Sequence, residues 1–374
     1  MRFVDEFRDP AAARALVAAI EAVPLPGPVA LMEVCGGHTH TIYRHGLEHL
    51  LPDTVELVHG PGCPVCVIPT GRVDDAIWLA EQPGVVLTTF ADMMRVPGSS
   101  GSLLDAKARG ADVRFVYSPL DALRLAARSP DRHVVFFAVG FETTAPSTAV
   151  TLLQARALGV ENFSVFSNHV TIGPPLEAIL DAAEVRLDGF LGPGHVATVT
   201  GLDVFEPIVR EHHVPLVVAG FEPLDILSAV HMLLVQVAEG RAEVGNQYGR
   251  VVRREGNPEA LRLMAQTLAL RDAFEWRGLG DIPRSGLRVH PDFATWDTER
   301  RFDVPGLRVA DHRACQCGSV LRGVIKPWEC KVFGKGCAPE RPLGTCMVSP
   351  EGACAAYYTF GRTSNDAAGL LARR

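Results

Sequence analysis

No cysteine falls between Cys66 and Cys315, so the long middle of this 374-residue chain carries no thiol chemistry of its own. No apolar run is long enough to cross a bilayer; Val134-Val-Phe-Phe-Ala-Val139 is typical of the longest. The opening residues, Met-Arg-Phe-Val-Asp-Glu-Phe-Arg-Asp-Pro, place acids where an export signal needs uninterrupted apolar sequence. Basic excess is missing too: the net charge is -7 and the pI is near 6.0, which argues against a nucleic-acid footprint. There is no Walker A loop, no clean dinucleotide fingerprint, and no Cys-x3-Cys-x2-Cys spacing of the radical S-adenosylmethionine type. These absences lead us to expect a cytoplasmic protein without a membrane segment. In that compartment thiols stay reduced, and clustered cysteines bind metal or do redox chemistry more often than they staple a fold.

Nine cysteines are present, in two groups. Cys35 lies in Glu33-Val-Cys-Gly-Gly-His-Thr-His40, and Cys63 and Cys66 lie in Gly60-Pro-Gly-Cys-Pro-Val-Cys66. Cys315, Cys317, Cys330, Cys337, Cys346 and Cys354 crowd into the tail. Between the groups, short β-branched or aromatic runs alternate with stretches of helical spacing, a pattern of βαβ units and parallel sheets. One set is Val29–Val34, Val55–Val58, Val85–Thr88 and Val113–Tyr117; the next is His133–Val139, Phe163–Phe166, Gly189–Leu191 and Pro215–Ala219. Val139-Gly-Phe-Glu142 and Ala219-Gly-Phe-Glu222 look like one strand-end turn used twice. The expected fold class is α/β: two similar small parallel-sheet domains, residues 1–125 and 126–242, and a loop-rich cluster-bearing region, 243–374. One larger eight-stranded sheet is the competing arrangement. In the last region a helix is expected over Ala260–Ala273 and loops over Gly278–Gly306.

Each unusual loop follows an expected strand, and open parallel sheets bind ligands beyond the carboxyl ends of their strands. Cys35, Cys63 and Cys66 are therefore expected to face one crevice, with His38, Glu142, Thr143, Asn168 and His195 on its other walls. Cys63-Pro-Val-Cys66 has the spacing of a reversible disulfide or of two ligands to one metal. Gly36 and Gly37 would let backbone N–H groups approach a ligand. His38 and His40 could serve as base, supporting donor or ligand, or simply cap a helix. In the tail, Cys330-x6-Cys337-x8-Cys346-x7-Cys354 offers four thiolates on flexible loops, which suits a [4Fe–4S] cluster; zinc, which favours paired knuckles, is the rival. Cys315-Gln-Cys317 is left over, as a second thiol pair or as a replacement for one ligand.

Taken together, Cys35-Gly-Gly-His-Thr-His40, Gly60-Pro-Gly-Cys-Pro-Val-Cys66, Gly140-Phe-Glu-Thr-Thr-Ala-Pro146 and Gly344-Thr-Cys-Met-Val-Ser-Pro-Glu-Gly-Ala-Cys354 resemble the HypD family of hydrogenase formation proteins. The resemblance implies an assembly scaffold for the Fe(CN)2CO unit of [NiFe] hydrogenases rather than a conventional turnover enzyme. It implies partnership with a HypC-type small chaperone and a HypE-type cyanide donor, and indirectly with the hydrogenase large subunit. By position, Cys35 would bind the iron with His38 supporting it, and Cys63 and Cys66 would form a redox-active pair. Glu142 falls in a family motif, and Cys330, Cys337, Cys346 and Cys354 would hold the cluster. The rival readings are an iron–sulfur thiol–disulfide reductase and a zinc-containing scaffold without redox chemistry.

Overall fold

The computed structural model describes residues 5–182 and 186–361. Its strands are β1 (Val29–Glu33), β2 (Val55–His59), β3 (Val85–Thr89), β4 (Val113–Phe115), β5 (His133–Gly140), β6 (Phe163–Val170), β7 (Gly189–Pro193), β8 (Leu216–Ala219), β9 (Val244–Asn246), β10 (Leu268–Leu270), β11 (Ala273–Trp276), β12 (Gly280–Pro283) and β13 (Gly286–Val289). The fold is mixed α/β with parallel sheets, as the alternation of runs required. All eight expected strands are present. β-branched and aromatic residues dominate them, and β3, β6 and β7 are buried along their whole length, as parallel strands covered on both faces must be.

Their grouping differs from chain order. One sheet runs β2-β1-β7-β8-β9, all parallel; the other runs β10-β13-β6-β5-β3-β4, with β10 and β13 antiparallel. The first four strands therefore divide between two sheets, two to each, and do not form a sheet of their own. Nor do the eight strands make one continuous sheet. Local composition encodes that a segment is a strand, whereas the choice of parallel partner is non-local and leaves no mark on the run itself. Past residue 243, the expected Ala260–Ala273 helix ends early: Pro258–Thr267 is helical and the chain then turns into β10. The expected loops of Gly278–Gly306 contain β12, β13 and two short helical turns.

Both sheets reverse direction of growth at an internal point. In the first, β1 lies between β2 and β7; in the second, β3 lies between β4 and β5. Such switch points open a crevice at the carboxyl ends of the strands. The cysteine tail packs against this region instead of forming a separate body. Cys317, Cys337, Cys346 and Cys354 belong to the same apolar cluster as Cys63, Val65 and Cys66. Thr345 Oγ1 donates to the Cys66 carbonyl at 2.7 Å. No helix among the described residues is long and apolar enough to cross a membrane.

Candidate functional site

A cleft of about 420 Å3 sits where the two switch points meet. Val34 and Cys35 follow β1, and Pro193 and His195 come from the end of β7. Phe90, Asp92 and Met93 follow β3, and Gly140, Phe141, Thr143 and Thr144 come from the end of β5. Glu351 enters from the cysteine tail. The floor and walls are largely apolar, and a handful of polar groups converge on them: one thiol, two carboxyls, one imidazole and three threonines. This is the usual composition of a small-ligand site.

Cys35 caps the helix Gly36–His45, which ends at Gly46 in the left-handed conformation (φ 61°). Two effects oppose each other at this thiol. Backbone N–H groups of Gly37 and His38 at the helix start favour the thiolate, but burial and the nearby Glu351 carboxylate prevail and push the pKa up to about 12. The free site therefore holds a protonated thiol at neutral pH, and any metal that binds there must displace the proton. The Cys35 loop rests directly on the Cys63 loop. Gly36 N donates to Gly62 O at 3.2 Å, and a side chain at Gly62 would run into the backbone of Val34 and Cys35. β1 and β2 are paired in parallel, so their carboxyl ends deliver both loops to one place.

The three front thiols do not all face the cleft. Cys35 lines it, together with Gly62, Pro64 and Val65. Cys63 and Cys66 are buried behind that wall, and Cys66 is in thiol contact with both Cys63 and Cys346. Burial pushes the Cys66 thiol well up, with Cys346 and Cys63 adding to it; Cys346 is lowered by the hydrogen bonds it accepts from Cys317 and Cys66. Cys317 in turn lies 3.0 Å from Cys315. An unbroken file of sulfurs thus runs Cys63, Cys66, Cys346, Cys317, Cys315, from behind the cleft into the tail.

Of the other expected wall residues, Thr143 and His195 line the cleft. His38 stands behind it: Nε2 donates to the Ala219 carbonyl at 3.2 Å, and Nδ1 is buried without a hydrogen-bond partner among the described residues. Its ring stacks on Phe221, which stacks on His195 with centroids 3.7 Å apart. Burial lowers the pKa of both imidazoles, so they are neutral at pH 7. Glu142 is buried between the lining residues Phe141 and Thr143. Its Oε1 accepts from Ile172 N at 3.0 Å, Oε2 has no partner among the described residues, and burial raises its pKa to about 7. Asn168 is turned away, accepting from Arg72 Nε at 2.5 Å. His40 lies on the other side of its helix, edge-on to Phe360.

Two cleft residues escaped the sequence reading. Asp92 and Glu351 both have raised pKa values, first from burial and, for Glu351, also from Asp92. Asp92 lies in the loop after β3, and Glu351 sits between two tail cysteines. The position after a strand end marked the first; the second lies inside the Gly344–Cys354 motif, which marked the segment but not the carboxyl. Beneath the cleft, Glu33 accepts from Cys35 N at 3.1 Å and from the Thr39 hydroxyl, and also bonds His59.

In the tail, the Cys354 thiol is raised well above the usual range by burial and then by the neighbouring Cys317, Cys315, Cys330 and Cys337. Gly344 is pressed so closely by the Cys315 and Cys317 sulfurs that no side chain fits there. Among the described residues no three His, Cys, Asp or Glu stand at single-ion spacing. Six soft thiols gathered in one loop-rich region, two of them against a glycine with no room for a side chain, have the donor chemistry an iron–sulfur cluster uses.

A thiol-bearing cleft between two largely parallel sheets, backed by a file of further thiols, defines an α/β protein with its sulfur chemistry at the strand ends. The family model HypD, described as "Hydrogenase formation hypA family", matches residues 11–361. "Hydrogenase maturation factor HypD" of Azotobacter vinelandii is 54% identical over 369 residues, covering 97% of each chain. The protein of the same name from Rhizobium leguminosarum bv. viciae is 52% identical, covering 100% of this chain and 99% of its own. That of Escherichia coli K12 is 48% identical, covering 98% and 100%. The chain belongs to the HypD family of hydrogenase maturation factors.

Proposed function

We propose that this chain is the scaffold on which an Fe(CN)2CO unit is put together before delivery to the large subunit of a [NiFe] hydrogenase. The observation that carries the reading is the position of Cys35: a single thiol at the meeting of two switch points, with open cleft in front of it and the Cys63/Cys66 pair behind. Soft thiolate suits a low-spin iron carrying cyanide, and one protein sulfur leaves iron positions for diatomic ligands and for a partner's cysteine. His38, stacked through Phe221 onto His195, supports the wall, and Asp92 and Glu351 offer carboxyls that take up the proton Cys35 gives away.

Cyanide arriving as a thiocyanate needs two electrons to leave its sulfur. One thiocyanate and two thiols give one thiol, one hydrogen cyanide and one disulfide, so Cys63 and Cys66 would supply the pair and end as a disulfide. Glu142, with a carboxyl oxygen that has no partner among the described residues, would hold a proton beside the cleft. Cys330, Cys337, Cys346 and Cys354 would hold a [4Fe–4S] cluster, which when bound supplies one-electron storage. Partners of the HypC type (an iron-sharing chaperone) and the HypE type (the cyanide donor) follow from this reading, as does a cytoplasmic setting.

Infrared and Mössbauer spectra of the protein co-purified anaerobically with its small chaperone test it. Bands for iron-bound CN and CO are expected; a plain thiol–disulfide reductase has neither. Cys63→Ala should keep the visible absorbance of the tail centre and abolish maturation. Normal maturation in that variant rejects the dithiol role.

A further inference from the structure

The pair at Cys63 and Cys66 is buried, and so are Cys346 and Cys317; Cys315 and Cys330 are the two thiols of the chain that reach half-exposure. A reductant arriving from outside therefore meets the sulfur system at the tail, on the loop around Cys330. That loop has an unusual surface. Residues 322–341 hold Arg322, Lys326, Lys331, Lys335 and Arg341 against Glu329 and Glu340, a local positive excess in a chain of net charge -7. Lys331, Lys335 and Arg341 are exposed and take part in no ion pair among the described residues.

The loop is rigid enough to present them. Phe333 N donates to Cys330 O at 3.0 Å, Cys337 N to Val332 O at 2.9 Å, and Arg341 N to Ala338 O at 2.9 Å, closing consecutive turns. The Lys331 N–H is held by Gln316 Oε1 at 2.9 Å, which fastens the loop beside Cys315 and Cys317. Trp328 is 42% exposed, an apolar ring packed at a tilt of 36° on Tyr357 at 4.4 Å, with Phe333 packed on the same tyrosine. An ordered aromatic anchor next to unpaired cations is the composition of a docking face, where charge steers the encounter and the ring holds it.

We propose that the face formed by Trp328, Lys331, Lys335 and Arg341 docks an acidic one-electron carrier protein, which restores the Cys63–Cys66 dithiol. The proposal rests on the reading that this pair is oxidised in use. Two reduced carriers each give one electron and solvent gives two protons; the S–S bond breaks and two thiols form. Charge complementarity selects an acidic partner, and the half-exposed Cys330 within the face selects an electron carrier over a passive one.

The test uses the full chain, purified anaerobically, with a small acidic [2Fe–2S] ferredoxin as probe. Calorimetric titration should detect binding that weakens with added salt and falls by about tenfold or more in Lys331→Glu/Lys335→Glu, with Lys331→Arg/Lys335→Arg unchanged. Trp328→Ala should weaken binding without changing its salt dependence. Once the Cys63–Cys66 pair has been oxidised, reduced ferredoxin should raise the number of free thiols there, counted by mass-tagging, more slowly in the charge-reversed protein. Absence of binding, or binding indifferent to charge reversal, overturns the docking face. Charge-sensitive binding with no gain of free thiols overturns the electron-carrier assignment. Cys63→Ala/Cys66→Ala should still bind the probe. Missing CN and CO bands with intact, charge-sensitive thiol reduction would remove the scaffold reading and leave this face standing.

Discussion

Glu33 and His59 stand opposite each other at the ends of the paired strands β1 and β2, and His59 Nδ1–H donates to Glu33 Oε1 at 2.6 Å. Both side chains are almost wholly buried. The other ring nitrogen of His59 faces the Tyr43 hydroxyl, and the remaining Glu33 oxygen takes the Cys35 N–H. Two strands and the helix that begins at Cys35 are therefore tied to one carboxylate. The residue that presents the cleft thiol is held from below by its backbone, which leaves its sulfur free.

Replacing Glu33 by Gln sets an amide N–H against either the His59 or the Cys35 N–H. Leaving a buried donor unpaired costs about 1–3 kcal/mol, and more where a charged partner is lost. Glu33→Gln should lower the denaturant midpoint accordingly, and alkylation of Cys35 should quicken as its loop loosens. Tyr43→Phe, which removes one bond and keeps the packing, should cost about 1 kcal/mol and leave the alkylation rate alone. Equal effects of the two substitutions on Cys35 would argue against a hold centred on Glu33.

A pH signature belongs to Glu142. Its folded pKa is raised to about 7, above the ordinary 4.5, by burial. The native state then binds a proton more tightly than the unfolded chain does. Stability from this group is present in full below about pH 4.5 and is lost as pH rises through 7. Glu142→Gln imitates the protonated form, so the variant should match the parent near pH 5 and exceed it at pH 8, by roughly 3 kcal/mol at most. Melting curves across that range check it; identical pH slopes would show that Glu142 ionises as an ordinary surface acid does.

What the sequence made legible follows from how local each signal is. The runs at Val29, Val85 and His133 declare strands because β-branched residues crowd a short window, and Gly and Pro mark the loops after them. The motif Cys35-Gly-Gly-His38 and the Cys63–Cys66 pair announce thiol chemistry for the same reason. Pairing of β1 with β7 is not written in either strand, so the division of β1–β4 between two sheets was hidden. Glu351 was hidden too: it reaches the cleft because the tail folds back, and only the folded chain sets it beside Cys35. The contact of Cys346 with Cys66 likewise joins the two ends of the sequence. Asn168 shows the opposite failure, a residue at a promising strand end that the fold spends on Arg72.

Gly62 is a tight point of the cleft wall, closed in by backbone. A Cβ there would overlap backbone atoms of Val34 and Cys35, and backbone cannot swing aside as a long side chain can. Gly62→Ala should therefore push the Cys35 loop off the Cys63 loop, costing about 3 kcal/mol or more if the chain still folds. Gly84→Ala is a useful control, since its Cβ meets nothing within 4 Å and any loss reports only its positive φ of 77°. A Gly62 variant with parental stability and parental Cys35 reactivity would mean that the loops are not in contact.

If the tail holds the proposed four-thiolate cluster, its six cysteines compete for four places, and serine substitution separates them. Cys330, Cys337 and Cys354 lie together, and Cys346 touches both Cys66 and Cys317, so it borders the thiol pair as well as the proposed cluster. If Cys330, Cys337, Cys346 and Cys354 are the ligands, iron and sulfide should stay at ~4 per chain in Cys315→Ser and Cys317→Ser and fall in the other four variants. Retention in Cys346→Ser with loss in Cys315→Ser would move Cys315 into the ligand set. Cys346 would then be left as the sulfur nearest Cys66, free to exchange with it. The two outcomes also differ in thiol counts after anaerobic denaturation, because only a non-ligand Cys346 can be trapped in a disulfide with Cys66 while the metal is still bound.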